Sequence, residues 1–323
     1  MSKQSREGTL MLWIGRFAVV KQIKIFAVVL AVQCCAGLAW AAQGVAETEV
    51  SVAAAQRVIS AGGSISEWLV AMGAQAQLVG VDTTSLHPSS LQALPSIGYQ
   101  RQLAAEGVLT LQPQILFGSA EMGPPPVLAQ LRAAGVQIET LPVDADLLAV
   151  SHSVRRMGQL LGRSAEAERV LQAFSQAMAQ HNKQLDKVEG ETPRVLLVFS
   201  AGQGNPLSAG KNTVGDWLIE QSGGENLARH QGFKALSSES MLALNPQVII
   251  VADRHNQGLA ALETMLSSSP ALRHTDAVQK GRVIAIDPTL LVGGLGPRVP
   301  QQVAELIDAF YPATTVQVAQ KSQ

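Results

Sequence analysis

One eight-residue pattern occurs twice in this chain, as Leu109-Thr110-Leu111-Gln112-Pro113-Gln114-Ile115-Leu116 and as Leu242-Ala243-Leu244-Asn245-Pro246-Gln247-Val248-Ile249. Both copies read as the end of a helix that passes through proline into a buried strand, because proline cannot continue the helix and β-branched and aliphatic residues follow it. Three residues before each first leucine stands a glutamate, Glu106 or Glu239. A looser match sets Ser60-Ala61-Gly62 ahead of Glu67-Trp68-Leu69 much as Ser208-Ala209-Gly210 precedes Asp216-Trp217-Leu218. Such self-similarity points to repeated structural units. Two related lobes with a ligand between them is the economical arrangement.

Strand and helix alternate around both copies. Gln56–Ala61 reads as a strand, Gly62-Gly63-Ser64 as the turn into helix Ile65–Met72, and Leu78–Val81 as a strand before the loop Asp82–Ser90. Gln114–Phe117 and Val136–Leu141 are strands flanking helix Val127–Ala134. The pattern restarts at strand Arg194–Phe199 and continues with helix Thr213–Gln221, strands Val248–Ala252 and Val283–Ile286, and helix Val299–Ala309. This implies an α/β fold of two Rossmann-like lobes, each with a central, mostly parallel sheet. Ala149–Val188 reads as helical with a break at Gly162-Arg163, Ser164 as N-cap, and Glu166 and Glu168 nearby. From Ser164 to Lys187 such a helix measures about 36 Å, enough to join two lobes rigidly with the cleft between them. The expected division is a first lobe at 43–148, a connecting segment at 149–190, a second lobe at 191–312 and a polar tail at 313–323.

Residues 1–42 stand apart. Arg16, Lys21 and Lys24 precede the apolar run Ile25–Val32, and Ala39-Trp40-Ala41 offers a small-x-small cleavage site, the pattern of a cleaved secretory signal peptide. The apolar run is too short to span a bilayer, and the long basic lead also allows a start at Met11. Cys34 and Cys35 are the only cysteines, so the mature chain would hold neither a disulfide nor a cysteine-metal site. Val32-Gln33 is a poor lead-in for lipoprotein processing. Cleavage removes five basic residues and one acidic, taking the formal net charge from −1 to −5, which argues against a nucleic-acid partner. With 47% hydrophobic and 15% charged residues the chain is globular, not disordered. No GxSxG, Walker lysine or cysteine nucleophile is present, and Gly202-Gln203-Gly204 and Gly293-Gly294-Leu295-Gly296 lack the strand-to-helix context of a dinucleotide site. No enzyme is expected.

The stretch Leu94–Pro113, LPSIGYQRQLAAEGVLTLQP, carries one of only two tyrosines. Gly98 permits the backbone turn that would push the Tyr99 side chain outward on a loop. A phenolate is a hard anionic donor suited to ferric iron and a known axial haem ligand, and a nearby guanidinium such as that of Arg101 favours a phenol's charged form. On spacing alone, an exposed loop tyrosine beside a solvated arginine reads the same way. Lys211 and Asn212, Arg254 and Arg298 follow or precede elements at positions where strand ends open into a cleft, and each also suits a surface position. His87 and His255 lie on loops that could face a cleft, with His255 opposite Tyr99. His152, His181, His230 and His274 read as solvated. No HxH or HExxH pair suggests a zinc or manganese site.

The Tyr99 stretch closely resembles the same region of the haem-binding periplasmic proteins of bacterial haem-uptake ABC transporters, in which a glycine-tyrosine pair, an arginine two residues on and a leucine-x-alanine-glutamate-glycine run recur. A rigid connecting helix is shared with the related binding proteins for metals, vitamin B12 and siderophores. The resemblance implies a periplasmic, monomeric carrier whose transported ligand is ferric haem b. It implies Tyr99 as the axial ligand, with Arg101 supporting it or a haem carboxylate; the two propionates of such a ligand would then fall to the cations placed near the cleft, Lys211, Arg254 and Arg298. His255 or His87 would be a second ligand. Glu106 and Glu239 would meet arginines on an inner-membrane permease dimer that works with its ATPase. A siderophore or corrinoid binder of the same architecture, and a periplasmic haem-storage or haem-degrading protein, are the alternatives.

Overall fold

The computed structural model describes residues 56–200, 205–256 and 258–312. The signal-peptide reading, both cysteines, residues 201–204 and the 313–323 tail lie outside them. Chain order begins with strand β1 (Val58–Ala61), helix α1 (Gly63–Ala71), β2 (Leu78–Val81), α2 (Ala105–Leu109), β3 (Ile115–Ser119), α3 (Pro125–Ala133) and β4 (Gln137–Leu141). These strands form one parallel sheet in the order β2-β1-β3-β4. Every residue of β1 and β3 is buried, as central parallel strands covered on both faces require.

Two helices follow, α4 (Leu147–Leu160) and α5 (Ser164–Leu185). The break between them falls where the sequence places it, but the cap does not. Ser164 is already the first helical residue, and Arg163 at the N-cap makes no side-chain capping bond. The capped helix is α4, where Asp146 Oδ1 accepts from Leu148 N and Ala149 N at 2.7 and 2.8 Å. Gly158 of α4 lies so close to α5 that an added Cβ would sit 2.5 Å from Ala167 Cβ, so the pair forms a tight helical hairpin. At 22 residues, α5 alone is about 33 Å long.

The second sheet contains β5 (Arg194–Ser200), β6 (Leu207–Ala209), β7 (Glu225–Asn226), β8 (Phe233–Ala235), β9 (Val248–Asp253) and β10 (Val283–Ile286). Its helices are α6 (Val214–Gln221), α7 (Ser238–Leu244), α8 (Gly258–Ser268), α9 (Asp276–Gln279) and α10 (Val299–Phe310). Strand order is β10-β9-β5-β6-β8, with β7 also parallel to β5. Setting aside antiparallel β6 and β8, the order β10-β9-β5-β7 repeats β4-β3-β1-β2 of the first sheet. The eight-residue repeat therefore marks equivalent places, and Val58 pairs Ile115 as Val195 pairs Val248. The looser repeat is less faithful. Ser60-Ala61 belongs to β1, whereas Ser208-Ala209 belongs to the antiparallel β6, inserted after the strand that corresponds to β1.

Each sheet has an outer core of its own, built on Ile59, Leu116 and Leu131 in the first and on Leu196, Ile249 and Met265 in the second. Between them runs one shared cluster. It starts at Val58, Trp68 and Phe117, continues through Leu171, Phe174 and Met178 of α5, and ends at Leu197, Ile250 and Phe310. Residues 292–298 also cross to α1: Ser64 Oγ donates to the Val292 and Gly294 carbonyls at 3.0 and 2.8 Å, and Trp68 Nε1 donates to Leu295 O at 2.9 Å. Among the described residues no helix is long and apolar enough to cross a membrane.

Candidate functional site

Between the two sheets opens a cleft of about 930 Å³, within the range of small-molecule sites. Tyr99, Arg101, Glu121 and residues 143–146 form its first wall. Phe199, Leu207, residues 212–214, Phe233 and Arg254 form the opposite one, and residues 291–294 line it from the crossing segment. A groove of about 620 Å³ along α4 holds His152, Arg155 and Arg156, but both arginines are taken up by Glu168 and Glu139. Unlike that groove, the cleft combines aromatic faces with cations from both walls.

Tyr99 ends an extended run whose turn is made at Gly98, with φ 83°, a conformation that favours glycine. Its ring is half-buried on the cleft wall. Arg101 stands two residues on, in the short turn Gln100–Gln102. Its Nη2 donates to Glu121 Oε2 at 2.5 Å, and the Glu121 bond, against partial burial, holds the guanidinium above its ordinary value; the Tyr99 phenol acts in the same direction. Glu121 is positioned by backbone pairing between the two loops, since Gly123 N donates to Gln100 O and Leu103 N to Gly123 O.

On the opposite wall, Asp253 builds the turn that presents Arg254. Burial pushes the Asp253 carboxyl up, but the backbone N–H groups of His255 and Asn256, both at 2.8 Å to Oδ1, outweigh it and hold the group below the usual range. The Arg254 guanidinium carbon lies 5.8 Å from the centre of the Phe199 ring, within cation–π range. Phe199 and Phe233 stand 6.0 Å apart, tilted by 60°. Asn212, with φ 62°, donates through Nδ2 to Gln231 Oε1 at 2.8 Å.

The structure thus brings Tyr99, Arg101, Asn212 and Arg254 to one cleft and places the other sequence-derived candidates elsewhere. Lys211 Nζ is held by Glu220 and Asp216 at 2.6 and 3.3 Å and does not line the cleft. Arg298 is committed to Glu67 in a two-pronged pair (2.7 and 2.9 Å), to Asp287 at 2.9 Å and to Thr289 at 2.7 Å, and does not line the cleft. His87 Nε2 meets Asp287 Oδ2 at 2.6 Å. His255 is exposed and outside the lining, and its backbone N–H serves the Asp253 turn. Glu106 and Glu239 are exposed, each the second residue of its short helix, α2 and α7. Sequence reasoning missed Glu121, Phe199 and Phe233. Phe199 near the end of β5 follows the strand-end rule that selected Arg254. Phe233 sits in the inserted β8, and no sequence signal marks it.

A profile described as periplasmic binding protein matches residues 58–290. The chain belongs to the periplasmic binding protein family. Among solved members, a periplasmic heme binding protein from Pseudomonas aeruginosa is 49% identical, with TM-score 0.78 over 80% of this chain and 93% of that one. The periplasmic heme binding protein HutB of Vibrio cholerae is 35% identical, with TM-score 0.71 over 80% and 99%. A cobalamin-binding protein of Halobacterium salinarum is 24% identical over 80% of this periplasmic binding protein and 70% of its own length.

Proposed function

We propose that this protein is the periplasmic carrier of a haem importer, holding ferric haem in the cleft through the Tyr99 phenolate and passing it to an inner-membrane permease. The observation that carries this reading is the pairing of walls. A phenol with an arginine beside it faces an aromatic pair capped by a second arginine, within a fold shared at 49% identity with a periplasmic heme binding protein. The phenolate would supply the iron ligand, Phe199 and Phe233 apolar faces for the macrocycle, and Arg101 and Arg254 the cations for its two carboxylates. Arg298, Lys211, His87 and His255 have no part in this arrangement as the cleft stands.

A corrinoid is the second reading, favoured by the cobalamin-binding relative at 24% identity. Titration of the purified protein with ferric haem separates the two. Phenolate ligation gives a high-spin spectrum with a charge-transfer band, and Tyr99→Phe removes the band and weakens binding by tenfold or more. A spectrum unaltered in that variant rules out Tyr99 as ligand. Binding of cobalamin in preference to haem replaces the reading altogether.

A further inference from the structure

Arg101 already has a partner in the cleft, and that partner is an anion. We propose that Glu121 is a positioning residue that competes with the incoming ligand for Arg101: it holds the guanidinium at the cleft rim and weakens capture enough to permit release. The inference rests on the haem reading of the cleft. The geometry is specific. Glu121 and Arg101 face the same cleft, each about half exposed (53% and 52%), and meet at 2.5 Å. Their loops are tied by the reciprocal Gln100–Gly123–Leu103 backbone bonds, and Glu121 N donates to Ser119 Oγ at 3.2 Å, so the pairing is built into the loop register.

A half-exposed ion pair is weak, because both ions keep most of their hydration. It therefore contributes little to folding, yet it is comparable to the change a ligand must make to capture the same guanidinium. A ligand carboxylate drawing on Arg101 must first displace Glu121, and when it leaves, Glu121 re-forms the pair. The other anions of the lining, Asp144 and Asp146, have no such contact with Arg101: Asp146 is occupied as the cap of α4.

The test compares haem affinity and the rate of haem transfer to an apoprotein scavenger in Glu121→Gln, Glu121→Asp, Arg101→Ala and the Glu121→Gln/Arg101→Ala double variant. Glu121→Gln is expected to bind haem about two- to fivefold more tightly and to release it correspondingly more slowly, the range an exposed pair supports. Glu121→Asp, which keeps the charge, stays near the parent, and in the Arg101→Ala background the glutamine change has no further effect. If Glu121→Gln matches the parent or binds more weakly, competition is refuted. If its effect persists without Arg101, the carboxylate acts only through the general field of the cleft, and the proposal is equally refuted. These outcomes are separate from failure of the haem reading, which shows as an unchanged spectrum in Tyr99→Phe. A thermal melt of Glu121→Gln that matches the parent excludes misfolding as the cause.

Discussion

Asp287 ties Thr289, Arg298 and His87 to one carboxylate. Its Oδ1 accepts from Thr289 N and Oγ1 at 2.8 and 2.7 Å, and its Oδ2 meets Arg298 Nη1 and His87 Nε2 at 2.9 and 2.6 Å. Burial pushes the carboxyl up, but the bonds from Thr289 and Arg298 outweigh it and hold the group below its ordinary value of 3.8. A depressed carboxylate favours the folded state above its unfolded pKa, and that contribution is lost as pH falls through the folded one. Asp287→Asn is therefore expected to cost about 1–3 kcal/mol at neutral pH, and the cost shrinks below about pH 4, where the parent loses the same contribution. Urea titrations at pH 7 and pH 3 check this. A constant difference at both values would show that the charge is irrelevant. The same cluster explains why His87 and Arg298 looked like cleft ligands in the sequence. The far partner of each is remote in the chain, Asp287 for His87 and Glu67, 231 positions off, for Arg298, and a basic side chain near a cleft-forming turn reads the same whether or not a distant carboxylate claims it.

At the level of elements the repeat was legible, because proline, a helix end and an aliphatic strand are local signals. Its finer content was not. Gln114 Oε1 accepts from Arg57 N while Gln114 N donates to Arg57 O, and Gln247 does the same with Arg194, all between 2.8 and 2.9 Å. Gln112 and Asn245 hold positive φ at matching places. Each glutamine thus clamps the start of its strand to the neighbouring one, which a one-dimensional match cannot reveal. The β6–β8 insertion escaped notice because three-residue strands carry too little alternation to register. Equivalent placement also sharpens the expectation for Glu106 and Glu239. Both stand exposed in the first turn of a short helix, apart from the cleft lining, as two docking points for a permease would require. Glu106→Ala/Glu239→Ala should lower haem uptake into permease-containing vesicles at least tenfold while the haem titration stays as in the parent. Normal uptake would remove the docking role, and lost haem binding would move both residues into the pocket.

For the whole molecule, a rigid strut between two lobes is only part of what holds them. The shared core passes from Trp68 to Phe174 of α5, ring centres 5.4 Å apart, and on to Phe310 of α10, so a pivot of one sheet against the other would expose apolar surface at about 25 cal/mol per Å². The crossing segment adds the Glu67–Arg298 pair, whose carboxylate is only 5% exposed, and opening it would strand a buried charge at a cost of several kcal/mol. The described residues accordingly hold together as one compact unit. On the proposed reading, a cleft built this way is preformed, and loading it would call for side-chain exchange at Arg101, not for closure of the lobes. Small-angle scattering with and without haem is expected to give radii of gyration that agree within about 1 Å, the scale of change in preorganised complexes. Arg298→Ala, which unpins the crossing segment but removes no side chain that lines the cleft and leaves Tyr99 in place, should lower the melting temperature without changing the haem spectrum. A contraction of several ångströms in the parent on loading would mean that the sheets pivot despite their common core, and the preformed cleft would have to be abandoned.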